Sequence, residues 1–537
     1  MASKRCRESP QPIRGIHPLL SALLKATPPA PRICLVLSAI LALGACAEIS
    51  PRPSPTASEE RALFTEATGD ILEFHIKAVQ PDQIALDGLG ELALVDPQMS
   101  LERAADEVTL RRGGMARSFK APEPSSATEW GALTEDILAE ARKLSPDIAA
   151  LPGDRLDEMV IDASLARLDP FSRYARPEVA REHRAARDGF AGIGITLDIH
   201  ESDVRIASVM PETPAASAGL LPGDRILALD GKPVAHLTAD DIRGHLRGPA
   251  QTRIELTVSR VGSDKPLALT IQRATIVPET VTLKEAGGFA WLRLRAFNQQ
   301  TGESLAEMLQ QAHRDLGPDL HGIVLDLRDN PGGLLDQSVD VASLFLDGGD
   351  IVSTTGRNPH SQQHFAAPEN HHAEDLPMAV LINGGSASAS EIVAAALQDS
   401  GRAVIIGTSS FGKGTVQTVL RTANDGELTV TWAQIITPRG YFLNVHGVVP
   451  TLCTAEVEGA SANADTLLSQ TPAVPPALAQ PRDTLDDAGW VKLRALCPPQ
   501  HEDRELDSMV ATRLLSNPAL YERVLALSDA PRLATNH

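Results

Sequence analysis

Residues 407–417 read GTSSFGKGTVQ and close an apolar run, AVIIG (403–407). Gly407, Gly412 and Lys413 fall where the phosphate-loop signature G-x-x-x-x-G-K-[ST] wants them, but Gly414 stands where a Ser or Thr should hold magnesium. That loop also needs a helix directly after its lysine, so that the helix N-terminus holds the anion. Here TVQTVLRT (415–422) is rich in β-branched residues, and the turn NDG (424–426) leads into ELTVTWAQII (427–436). That pattern is a hairpin. No suitable magnesium carboxylate is evident either. A nucleotide-binding ATPase is therefore disfavoured, and Lys413 needs another role.

Just upstream, INGGSASASEIVAAAL (382–397) reads as the end of a buried strand, a Gly-Gly turn and a helix start among Ser386, Ser388 and Ser390. Free N–H groups at a helix N-terminus can stabilise an oxyanion, so a serine there is a candidate nucleophile. The competing reading is structural: Ser388 and Glu391 match the capping box S-x-x-E, and a capping serine needs no chemistry. A serine nucleophile also needs a base. No histidine lies in a catalytic motif; His360, His364, His371 and His372 sit in a polar, Pro-containing stretch that reads as a solvated loop, and no metal is expected. Lys413 follows the next strand, and successive strand ends in a parallel sheet share an edge. Desolvated there, a lysine would have a lowered pKa and could accept the serine proton.

The surrounding chain supports such a sheet. From about 275 to 456, strand-like and helical patterns alternate: GGFAWLRLRAF, SLAEMLQQAHRDL, HGIVLDLRDN, LDQSVDVASLFL, MAVLIN, ASEIVAAALQDSG, AVIIG. This order predicts a largely parallel sheet covered by helices. Residues 186–274 change texture into short strands and turns, including DVRIASV and PGDRILALDGKPV, and form a β-rich module. Residues 59–185 read mostly helical. Residues 457–537 begin with an Ala/Pro/Ser-rich linker and end in one or two amphipathic helices.

The 537 residues suit several domains, and the net charge of −20 argues against nucleic acid as a partner. The N-terminus is a basic leader followed by ICLVLSAILALGAC (33–46), the length of a signal-peptide core. Leu43-Gly44-Ala45-Cys46 resembles a lipobox, implying cleavage before Cys46 and lipid on its thiol. The alternative is a secretory signal cut near Ala45. Residues 47–58 then act as a tether, and the expected location is the periplasmic side of a Gram-negative envelope, lipid-anchored to the outer membrane. In that oxidising compartment the remaining cysteines, Cys453 and Cys497, either pair or stand as separate buried thiols.

Together NGGSASASEIVAAAL, GTSSFGKGTVQ, LDLRDNPGG, LDPFSRY and TPRGYFLNVHGVVP resemble the carboxyl-terminal processing peptidases, or tail-specific proteases. The resemblance spans about 155–455. It implies an α/β multidomain protein with a helical N-terminal region, a PDZ domain, a crotonase/ClpP-like α/β peptidase core and a helical C-terminal extension outside the match. It implies a serine endopeptidase with Ser388 as nucleophile, Lys413 as general base and Gln417 orienting the lysine. Residues four apart on a strand share a face, which would let Gln417 reach Lys413. The implied oxyanion hole uses the N–H of Ala389 and of Gly332 or Gly333; spacing does not separate the two glycines. The PDZ loop Gly192, Ile193, Gly194 and Ile195 would receive a substrate's C-terminal carboxylate, the tail adding as a strand. Gln251 departs from the family's usual G-x-x-G-T. The implied partners are protein substrates with free tails, with no cofactor; an adaptor lipoprotein and homo-oligomerisation both occur in the family, and the sequence selects neither. The alternative function is a membrane-tethered, non-catalytic PDZ scaffold.

Overall fold

Three apolar segments, Gly322–Asp326, Met378–Ile382 and Val404–Gly407, are buried along their whole length, which is what strands covered on both faces require. They are the centre of the protein's main sheet in a computed structural model that describes residues 57–200, 203–263, 265–369, 374–455, 485–501 and 505–527. The leader, the tether through residue 56, Cys46, His371, His372 and most of the linker lie outside these residues.

The N-terminal region packs the helices Ala57–Phe74, Pro81–Leu89, Ala127–Leu144 and Gly153–Ala166 around Trp130, Ile137 and Leu156. It is not all helix. Strands β1 (Met99–Ala104), β2 (Glu107–Arg112) and β3 (Met115–Lys120) form an antiparallel sheet. Only Val108 and Leu110 of β2 alternate inward, and β3 is nearly all exposed, so the period-2 signal was faint; the Gly113-Gly114 turn was the readable clue. Strand β4 (Arg173–Ala175) and the helix Pro177–Asp188 lead into the β-rich module.

The module runs from β5 (Phe190–Gly192) through β6 (Ile195–His200), β7 (Asp203–Val209), β8 (Arg225–Leu229), β9 (Lys232–Pro233), the helix Ala239–Leu246, β10 (Arg253–Ser259) and β11 (Leu267–Gln272) to β12 (Ala274–Ile276). Antiparallel pairing of β5 with β12 closes its base. The sheet order is β11-β10-β8-β7-β6, which leaves β6 as an edge strand. Ile195, Leu197 and Ile199 of β6 share an apolar cluster with Ile242 and Leu246 of the helix.

In the core, β13 (Val281–Ala286) pairs antiparallel with β14 (Phe289–Leu294). From β14 onward the pairing is parallel through β15 (Gly322–Asp326), β18 (Met378–Ile382), β19 (Val404–Gly407) and β22 (Leu452–Cys453), in register Ala290↔Ile323, Val324↔Ala379 and Leu381↔Ile406. The helices Thr301–Leu316, Leu335–Ser343 and Ala389–Asp399 cover one face. A second sheet, β17-β16-β21-β20 with β4 on β21, comprises β16 (Asp350–Thr355), β17 (Gln363–Ala366), β20 (Thr415–Arg421) and β21 (Glu427–Ile436). Leu428 and Val430 of β21 belong to the N-terminal core, so that region is fastened to the hairpin after Lys413.

The C-terminal extension is not an appendage. Leu506, Val510, Leu514 and Leu515 of the helix Glu505–Leu515, with Tyr521 and Val524 of the helix Pro518–Leu525, cover the other face of the main sheet against Val324, Leu381 and Ile406. Without them fully apolar strands would face water. The division at residue 457 therefore separates parts of one core. The sequence shows the extension as amphipathic helices, but no motif tells what their apolar face covers.

Candidate active site

The strand order brings two loops to one sheet edge. β18 ends at Ile382 and its loop enters the helix Ala389–Asp399; β19 ends at Gly407 and its loop carries Lys413 into β20. The first loop is fixed by side chains that read as turn residues. Ser386 Oγ donates to the Leu327 carbonyl (2.8 Å), Ser390 Oγ to the Asn330 carbonyl (2.8 Å), and Asn383 Oδ1 accepts from the amides of Asp329 and Gly385 (both 2.9 Å).

Ser388 lies between them at φ +57°, ψ −115°. A capping residue adopts extended backbone, whereas a non-glycine residue at positive φ holds about 1–3 kcal/mol of strain. The Ser388 hydroxyl holds no capping bond, and the Glu391 amide meets the Ser388 carbonyl oxygen (2.8 Å) instead. Ser388 and Glu391 keep the capping-box arrangement, closed by the Ser388 N–H on Glu391 Oε2, while the Ser388 hydroxyl makes no hydrogen bond among the described residues.

Glu391 is the residue whose weight the sequence did not reveal. Fully buried, it accepts the Ser388 N–H (2.8 Å) and the Lys413 N–H (2.9 Å) on Oε2, and the Gly412 N–H (2.7 Å) and the Ser410 hydroxyl on Oε1. Burial pushes its carboxyl up and those hydrogen bonds oppose the rise without cancelling it.

Lys413 lines the same cleft of about 500 Å³ as Ser388, Ala389, Gly332, Gly333 and Gln417. Its Nζ sits 5.4 Å from the centre of the Phe171 ring and has no hydrogen bond among the described residues. Burial pushes its pKa down, the Arg173 cation pushes it further, and Glu391 partly opposes them. Gly414 is explained by space: a Cβ there would lie 1.8 Å from the Asn444 amide nitrogen. The position is a crossing of two backbones, and β20, not a helix, follows it.

Gln417 shares the cleft, but the same-face argument for it is interrupted by a bulge between Val416 and Gln417. Its Nε2 donates to Thr415 Oγ1 (2.8 Å) and Thr431 Oγ1 (3.3 Å), not to Lys413; Oε1 has no donor among the described residues. Thr431 Oγ1 in turn donates to Asp169 Oδ1 (2.8 Å), whose Oδ2 meets His75 Nε2 (3.0 Å). Burial would raise Asp169, yet hydrogen bonds from His75, Ser172, the Phe171 amide and Thr431 outweigh it and hold the carboxyl well below its ordinary range. Asp169, Phe171 and Arg173 all belong to LDPFSRY, so the motif was visible although its contacts were not.

The two glycines differ. The Gly332 N–H donates to Asn330 Oδ1 (2.9 Å), whereas the amides of Gly333 and Ala389 have no acceptor among the described residues. Gly332, at φ +95°, lets its loop approach the loop that carries Ser388: a Cβ there would lie 2.8 Å from Ser388 Cβ. In the β-rich module Ile193 is buried and Gly194, at φ +85°, turns the chain into the edge strand β6. Cys453 and Cys497 are joined by a disulfide, with Cα atoms 5.8 Å apart. His360 and His364 are exposed, and no metal-binding group of His, Cys, Asp or Glu occurs among the described residues.

This combination of a β-rich module, a parallel core and a cleft at the strand ends has counterparts. The model of peptidase family S41 matches residues 288–453 and that of the PDZ domain residues 205–260. The chain is 43% identical over 339 residues to the carboxy-terminal-processing protease of Bartonella bacilliformis, covering 63% of this chain and 77% of that one. It is 35% identical over 299 residues to the carboxyl-terminal-processing protease of Synechocystis sp., covering 54% and 69%. Among solved structures, the photosystem II D1 C-terminal processing protease is similar at 26% identity, covering 73% and 92%, with a TM-score of 0.37. The chain belongs to the carboxy-terminal-processing proteases of peptidase family S41, with a PDZ domain.

Proposed function

We propose that the protein is an exported serine endopeptidase that engages the C-terminal tails of envelope proteins through its PDZ domain and cleaves them with Ser388 and Lys413. The observation that carries this reading is the strained Ser388 at a helix N-terminus, sharing one cleft with a lysine whose pKa is lowered by burial. Strain of this kind is stored where geometry serves chemistry.

Neutral Lys413 takes the Ser388 hydroxyl proton as Oγ bonds to the scissile carbonyl carbon. The carbonyl oxygen becomes an oxyanion, held by the free amides of Ala389 and Gly333. Collapse of the adduct expels the amine, which Lys413 protonates. Water then attacks the acyl ester, Lys413 accepting its proton and passing it to Ser388 Oγ as the C–Oγ bond breaks, which releases the new C-terminal carboxyl and restores neutral Lys413 and the Ser388 hydroxyl. Gln417 Oε1, which accepts no bond among the described residues, orients the Lys413 ammonium between steps. The mechanism uses no metal or cofactor.

A substrate tail adds to the free edge of β6 with its carboxylate at Gly192–Ile195. Lipid on Cys46 tethers the enzyme to the outer membrane on its periplasmic side. The two substrates that test tail recognition differ only at the end: free carboxylate and amide. The account expects the free tail to be cut at least about tenfold faster at subsaturating concentration, the size of a charge-assisted hydrogen bond. Equal rates would remove tail recognition while leaving the dyad standing.

A further inference from the structure

The segment 485–501 lies beyond the family match, which ends at residue 453, yet it reaches both catalytic loops. On the nucleophile loop, the Gly384 amide donates to the Gln500 carbonyl (2.6 Å). On the base loop, the Gln500 amide donates to Thr408 Oγ1 (3.1 Å), and Arg494 Nη2 donates to the Ser410 carbonyl (2.9 Å). Arg494 Nη1 takes the His446 carbonyl of a third loop (2.5 Å), and that histidine stacks on Trp490 at 4.5 Å between ring centres. The disulfide from Cys497 to Cys453 ties the segment to β22, and Trp490, Leu493 and Cys497 bury against Tyr441 and Val449.

Arg494 also brings charge to the right place. A Cβ on Gly447 would lie 2.5 Å from Arg494 Nη1, 2.8 Å from Ser410 Oγ and 3.2 Å from Glu391 Oε1, so guanidinium, hydroxyl and buried carboxylate converge on one point. A buried carboxylate needs such a countercharge to stay ionised, and Glu391 is the acceptor for the amides of Ser388 and Lys413.

We propose that residues 485–501 form a strap that holds the nucleophile and base loops in register, with Arg494 as its positioning residue. The proposal rests on the Ser388–Lys413 reading. Arg494 touches no substrate; it acts through Ser410 and Glu391.

The test measures kcat and KM on a tailed peptide, per folded molecule, for the mature chain and for Arg494→Ala, Arg494→Lys, Lys492→Ala and Ser388→Ala, with the melting temperature of each. Lys492 is exposed on the same helix and serves as the control. Arg494→Ala is expected to lower kcat about 10- to 100-fold, the size of a small misplacement of catalytic groups, with KM within about twofold. Arg494→Lys, which keeps the charge and can reach one carbonyl, falls between, and Lys492→Ala matches the parent. If Arg494→Ala does not fold, Arg494→Lys decides: lowered kcat at an unchanged KM supports the strap. Wild-type kcat in every folded Arg494 variant, with Ser388→Ala inactive, overturns the strap alone. Full activity in Ser388→Ala overturns the dyad and the strap with it.

Discussion

The backbone amides of Ser388 and Lys413 meet on one atom: Glu391 Oε2 accepts both, at 2.8 and 2.9 Å. Two loops from different strand ends are thereby pinned to a single carboxylate, and neither can shift without straining the other. A glutamine at this position must present its NH₂ to groups that are themselves donors. Glu391→Gln is expected to lower kcat by about 10²-fold and stability by about 1–3 kcal/mol through unsatisfied buried donors. Steady-state kinetics and denaturant unfolding check both; a variant with the parent's kcat would show that the shared acceptor does not matter.

Gly332 offers a sharper geometric test. Its φ of +95° disfavours any side chain, and the added Cβ would press on Ser388 Cβ at 2.8 Å. Gly332→Ala is expected to lose about 1–3 kcal/mol from backbone strain and to lose activity beyond what that destabilisation explains. Titration of phosphonate-reactive serine separates the two effects. Full activity in the folded variant would mean that the loop approach is not needed.

The pH dependence of the rate should report Lys413. As a base it must be neutral, so kcat/KM rises as pH passes upward through its pKa. Burial and then Arg173 hold that pKa below the ordinary lysine value. Removing the Arg173 charge raises it, so Arg173→Gln should move the rising limb toward higher pH and slow the enzyme at neutral pH. A limb that stays in place would exclude Lys413 as the titrating group or Arg173 as its neighbour.

Asp169 should govern acid stability. Its folded pKa is depressed by the bonds from His75, Ser172, the Phe171 amide and Thr431 despite burial. Its contribution is therefore complete above the unfolded carboxylate value of about 4 and is lost as pH falls below it. Asp169→Asn is expected to be less stable at neutral pH by about 1–3 kcal/mol, as for a broken buried hydrogen-bond network, and to lose less on acidification. Because Thr431 links Asp169 to Gln417, a lower kcat should accompany it. Parallel stability–pH curves for parent and variant would contradict the assignment.

What the sequence could disclose followed from how local each signal was. Ser388, Lys413 and the parallel strands were legible because each rests on a contiguous pattern: a glycine turn before a helix, a lysine after a buried strand, apolar runs with helices between. Glu391 was seen only as a capping residue, since its bonds to Gly412 and Lys413 cross between loops. Gln417 and Thr431 face each other across the β20–β21 hairpin, but Asp169 lies far away in the chain and reaches Thr431 only when β4 pairs with β21. Arg494 sits in a segment with no motif at all. The β1–β3 sheet was missed because its exposed face is polar and each strand turns only one or two apolar residues inward: Met99 and Leu101, Val108 and Leu110, and Phe119.

The central claim is that Ser388 is the nucleophile and Lys413 its base. The most direct measurement is the rate of cleavage of a free-tailed protein substrate by the parent, Ser388→Ala and Lys413→Ala, with peptide mapping of the phosphonate adduct on the parent. The account predicts an adduct on Ser388 and a fall of about 10⁴-fold or more in both variants, as for single losses from a catalytic unit, with folding intact. Cleavage by Ser388→Ala at the parent's rate, or an adduct on another serine, would contradict it.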